Sequence, residues 1–124
     1  MKRFPLLLSS LCISILAASA NDGETPLTAS RQLLLKKEVS LSSNPVQTNV
    51  IRVQFPSGYK TPLHTHEGPG PRYVLKGKLR VQDAGQTHVY STGDVFWETG
   101  GPMTVENIGG NDAEIVIFEL APAS

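Results

Sequence analysis

The stretch HTHEGPGPRYVLKG, residues 64–77, holds two histidines one residue apart, then glycines alternating with prolines, then an apolar run that stops at Gly77. Side chains alternate along a strand with a period of two, so His64 and His66 share one face. Pro69 and Pro71 fix φ and offer no N–H donor, while Gly68 and Gly70 let another backbone come close. The middle of the stretch therefore reads as a stiff rim, and Tyr73 to Lys76 as a strand that turns at Gly77.

Outward from this stretch the chain keeps the same grammar. VQTNVIRVQF, residues 46–55, is an apolar strand stopped by Pro56-Ser57-Gly58. Further turn signals stand at Gln82–Gly85, Ser91–Asp94, Gly100–Pro102 and Gly109–Asp112, each followed by a short apolar run. The reading places hairpins at Gly77, at Gln82–Gly85 and at Gly109–Asp112. RQLLLKKEVS, residues 31–40, fits a short helix nearly as well as a strand. No helical pattern follows residue 40, so the expected fold is all-β, an antiparallel sandwich or barrel in one domain.

Gly58, His64, Thr65, His66 and the run Tyr73–Gly77 together resemble the first motif of the cupin family. Gly93-Asp94, the apolar strand after them, Gly101-Pro102 and Asn107 resemble its second motif. The resemblance covers about residues 31–120 and implies a double-stranded β-helix, the jelly-roll-like cupin barrel. It also implies a metal site, and there the chain departs. The family's first motif carries a ligating glutamate where Gly70 stands, and its second carries a third histidine where Met103 stands. Two of four expected ligands, His64 and His66, remain.

Two imidazoles suit a divalent ion such as Fe, Zn, Mn or Ni, but enzymes normally give such an ion three protein ligands. Glu98 is the best third candidate, because an acid beside Phe96 and Trp97 is costly to bury without a partner. A metal would supply that partner, and so would Arg72. Glu67 and Glu106 have the wrong strand parity, and His88 lies outside both motifs. The alternative reading makes His64 and His66 pocket groups that hydrogen-bond a ligand. Arg72 shares the face of Gly70, two residues away, and either points into the barrel, onto a carboxylate or Glu98, or lies solvated outside. Phe96 shares a face with Glu98, whereas Val95 and Trp97 take the other. The expected sets are thus His64, His66 and Glu98 for metal, and Arg72, Phe96, Glu98 and Met103 for ligand. Asn107 reads as a turn-stabilising group.

Two function classes follow. One is a binding module that holds a small organic ligand in its barrel. The other is a metal-dependent enzyme of oxygenase or isomerase type using His64, His66 and Glu98, with the catalytic residue unassigned.

The first twenty residues differ from the rest. Lys2 and Arg3 precede the apolar stretch Phe4–Ala17, and Ala18-Ser19-Ala20 supplies small residues for cleavage. This order predicts a signal peptide over residues 1–20 and a periplasmic or secreted protein. A flexible leader is expected over residues 21–30, and a short tail over residues 121–124. Cleavage removes Cys12, the one cysteine, and leaves no disulfide. Losing Lys2 and Arg3 leaves nine basic residues against eleven acidic ones, a net charge of −2. Nothing in that balance suggests nucleic-acid binding or stable membrane association after cleavage, and neither is expected. The expected partners are a small molecule and, as the resemblance implies, a second copy in a homodimer.

Overall fold

The computed structural model describes residues 23–123 together with positions 2, 5, 15, 17 and 18. Among these, every regular element is a strand: β1 (Val46–Phe55), β2 (Gly70–Lys76), β3 (Lys78–Asp83), β4 (Gln86–Ser91), β5 (Val95–Glu98), β6 (Met103–Asn107) and β7 (Ala113–Pro122). They form two sheets, one ordered β1-β7-β2-β5 and one ordered β4-β3-β6. All pairings are antiparallel. The architecture is a jelly-roll-like barrel of the kind expected.

The chain divides into two units, Met1–Ser30 and Arg31–Ser124. The described residues of the first carry no regular structure. The signal-peptide expectation falls almost wholly outside the described residues. Among those described, no helix is long and apolar enough to cross a membrane.

Alternation builds the core. Ala113, Ile115, Ile117, Glu119 and Ala121 of β7 are buried, and the residues between them are not. β6 buries Met103, Val105 and Asn107 in the same way. The inward residues meet Phe55 of β1, Val74 of β2, Leu79 and Val81 of β3 and Phe96 of β5 in one cluster. Full burial of each large side chain stabilises the fold by about 1.5–3 kcal/mol. Tyr90 of β4 stacks on Phe96 of β5 at 4.3 Å and 7°, which joins the two sheets where they are not hydrogen-bonded.

The turn signals mark bends, but only one of the three expected hairpins is a hairpin. Asp83 pairs with Gln86 across a tight turn, where Ala84 and Gly85 have φ of 50° and 75°. Gln82 and Asp83 thus extend β3 instead of looping. At Gly77, with φ of 96°, the chain leaves one sheet and enters the other, since β2 pairs with β5 and β7 but not β3. The bend at 109–112 likewise carries the chain from β6 into β7 in the opposite sheet. A turn signal reports local φ, not the partner the chain meets afterwards.

Residues 31–40 form neither helix nor strand. A helix or strand is stabilised by burying one face, and here Leu33 and Leu34 stay 67% and 51% exposed. The Gly-Pro rim packs against β7 as its composition suggests. Pro69 accepts a hydrogen bond from Leu120 N (2.9 Å). A Cβ on Gly68 or Gly70 would overlap the carbonyl oxygen of Leu120 or Phe118. β7 itself runs to Pro122, two residues beyond the expected barrel edge.

Candidate functional site

Among the described residues, four polar or charged residues are buried: Arg72, Glu98, Asn107 and Glu119. Asn107 holds a turn. Its Nδ2 donates to Phe55 O and Asn111 O, and its Oδ1 accepts from Gly109 N. The other three gather at the Gly-Pro end of the barrel, each brought there by strand parity. β2 turns Arg72 inward beside Val74, β5 turns Glu98 inward beside Phe96, and β7 turns Glu119 inward beside Ile117.

The two histidines approach from the segment before β2. His64 N donates to Met103 O (3.1 Å) and His64 O accepts from Met103 N (2.9 Å), so this segment runs antiparallel along β6. His66 N donates to Gly100 O, extending the clasp. The imidazoles meet edge to face with centroids 5.0 Å apart.

Arg72 is fully buried. Its Nε donates to Glu98 Oε2 (2.8 Å) and its Nη1 to Phe118 O (2.9 Å). Its Nη2 is buried with no partner, alone in this among the described side chains. His66 lies between two carboxylates, with Nε2 3.3 Å from Glu98 Oε2 and Nδ1 3.4 Å from Glu119 Oε2. Asn49, opposite Glu119 in the β1–β7 register, donates to Glu119 Oε1 (3.0 Å). His64 Nδ1 stands 2.8 Å from Pro62 O. A carbonyl only accepts, so Nδ1 carries the proton and Nε2 of the neutral ring keeps its lone pair.

Burial pushes the Glu98 carboxyl above its ordinary range; Arg72 opposes this, and Asp83 reinforces it. Burial also lowers His66, aided by Arg72 and His64 and resisted by Glu119. Both shifts work against charge in the interior. They favour an uncharged ring beside a carboxyl that keeps its proton more readily, a pair able to give or take one proton.

The structure brings His64, His66, Glu98 and Arg72 to one end of the barrel. Arg72 takes the inward option and pairs with Glu98. Phe96 and Glu98 do share a face, and Phe96 lines a cleft of about 290 Å³ with Val81, Asp83, His88, Tyr90 and Trp97. Met103 lies in the apolar core, 1% exposed, with its backbone against His64. Glu67 is exposed, Glu106 pairs with Arg80 outside, and His88 is exposed. Sequence reasoning missed Glu119. The signal was present, because in AEIVIFELAP an acid occupies the parity of Ile115 and Ile117.

These side chains do not fit a divalent metal ion as they stand. Gly70 and Met103 offer no hard ligand where the family has its glutamate and third histidine. Glu98 Oε2, the oxygen that faces His66, is already bonded to a guanidinium. Among the described residues, no three His, Cys, Asp or Glu side chains stand close enough to hold a metal ion.

Comparison with known proteins places the fold. A predicted oxalate decarboxylase from Thermotoga maritima is 29% identical, with a TM-score of 0.51, over 60% of this chain and 65% of that one. This chain thus spans a little under two thirds of that protein. The cupin domain of Schizosaccharomyces pombe Cnp3 is 20% identical, with a TM-score of 0.55, over 77% and 70% of the two chains. The polyketide cyclase RemF from Streptomyces resistomycificus is 20% identical, with a TM-score of 0.50, over 59% and 54%. No curated protein matches the chain. The cupin-domain family model matches residues 51–119, from within β1 through Glu119, and so takes in both histidines, Arg72 and Glu98. By that match and by its barrel, the chain belongs to the cupin family.

Proposed function

We propose that this chain is a binding cupin, holding a small polar organic molecule in its barrel without turning it over. The observation that carries this reading is the unpartnered, buried Nη2 of Arg72. A buried donor left unmade costs about 1–3 kcal/mol. A ligand carboxylate, carbonyl or hydroxyl oxygen that accepts from Nη2 recovers that cost. The His64 Nε2 lone pair suits a hydroxyl donor on the same ligand. The matched Thermotoga protein bears the name of an oxygen-rich carboxylate, which supports the same ligand class.

Thermal shift and calorimetry with a panel of small carboxylates and hydroxy acids test the reading. At least one should bind the wild type and lose at least tenfold in affinity in Arg72→Met. Chemical conversion of a bound ligand by the purified protein would replace the binding role with an enzymatic one. The composition of residues 1–20 supports export, with the working protein beginning at Asn21.

A further inference from the structure

The two positions where the family places its remaining metal ligands have been rebuilt in this chain, not merely emptied. At Gly70 there is no room for any side chain. A Cβ there would overlap Phe118 O and lie 3.2 Å from Arg72 Nη1, because that guanidinium nitrogen already donates to the same carbonyl. At Met103 the thioether is sealed in the core, and the backbone on either side of it is bonded to His64. Two residues after Gly70, on the same face, stands Arg72, fully buried and directed at Glu98 through Nε. One substitution excludes the glutamate, and the next inward side chain brings in a fixed positive charge.

We infer that the Arg72 guanidinium takes the place of the metal ion in this barrel, so that the site works metal-free and presents Nη2 to a ligand oxygen. Glu98 is the counter-charge of this internal cation and has no free oxygen on the side facing His66. A divalent ion at Glu98 would stand against the guanidinium, and their like charges repel strongly in a poorly screened interior. Arg72 also cannot shed its proton to admit one. His66 is engaged by Glu119 on its other nitrogen, and Glu119 by Asn49. The ligand half of this inference rests on the binding function proposed above; the metal half does not.

The test uses the tag-free mature chain, stripped of metal and then dialysed against Zn²⁺, Ni²⁺, Mn²⁺ or Fe²⁺ at neutral pH, with bound metal counted by elemental analysis. The wild type should retain no stoichiometric metal. Arg72→Gln, which releases Glu98 without a charge, should bind Zn²⁺ or Ni²⁺ about tenfold more tightly than the wild type. One equivalent of metal retained by the wild type and lost in Glu98→Gln would overturn the inference. The wild-type count decides this even where Arg72→Gln fails to fold. Acetate and inorganic phosphate are titrated into the same metal-free sample. Binding of neither, with no metal retained, removes the ligand role and leaves Arg72 as the cation of a closed core.

Discussion

Arg72 and Glu98 form a buried pair whose partners need each other more than the fold needs the pair. Removing one partner from such a pair strands a charge, at about 3–5 kcal/mol. Arg72→Met should therefore lower unfolding free energy by about that amount at neutral pH in urea titrations, and Arg72→Met with Glu98→Leu should recover most of it. The pH dependence follows from the two shifts at the site. Glu98 titrates above 4.5 in the folded protein, so the native state holds its proton longer and stability falls as pH rises above 4.5. His66 titrates below 6.5, so the unfolded state binds its proton first and stability falls as pH drops below 6.5. Between these values the slopes oppose. Relative to the wild type, melting temperature should rise more steeply with pH in Glu98→Gln and less steeply, or fall, in His66→Asn. A wild type and two variants with identical profiles would contradict the assignment. Much of this cluster was legible from parity: Glu98 and Phe96 on one face, Arg72 inward with Gly70. Glu119 was not legible from the two motifs, because the second ends at Asn107 and Glu119 lies one strand later.

At the scale of the element, Gly77 is the most constrained bend. Its φ of 96° and the 2.6 Å from a would-be Cβ to the Ala113 Cβ leave no room for a side chain. Gly77→Val should destabilise by more than about 1 kcal/mol in chemical denaturation. Gly93→Ala meets nothing within 4 Å and strains only a φ of 89°, so it should cost less. Equal losses at the two positions would show that packing against Ala113 contributes nothing. Strand positions were readable because period-two burial imposes period-two sequence, and the bends because positive φ selects glycine. Strand partners were not readable, since the residues at Gly77 and at 109–112 specify a change of direction and nothing about which sheet receives the chain. Residues 31–40 carry apolar side chains that fit a helix and a strand about equally, and the chain there adopts neither.

For the whole molecule, the barrel is held by apolar burial, antiparallel ladders and one internal ion cluster. A form processed after Ala20 lacks Cys12 and so has no cysteine, and its melting temperature should be the same with and without reductant. N-terminal sequencing of exported protein should begin at Asn21; a secreted form still bearing Met1 would refute processing after Ala20. The account's central claim is that a ligand oxygen meets the Arg72 guanidinium inside the barrel. The most direct measurement is ¹H–¹⁵N spectroscopy of the arginine side chains during titration with small carboxylates and hydroxy acids. Arg52 and Arg80 serve as internal controls, each already in a surface ion pair. The account predicts saturable movement of the Arg72 signals with at least one ligand while Arg52 and Arg80 stay fixed. Arg72 signals that stay fixed while a bound ligand shifts resonances elsewhere would contradict it.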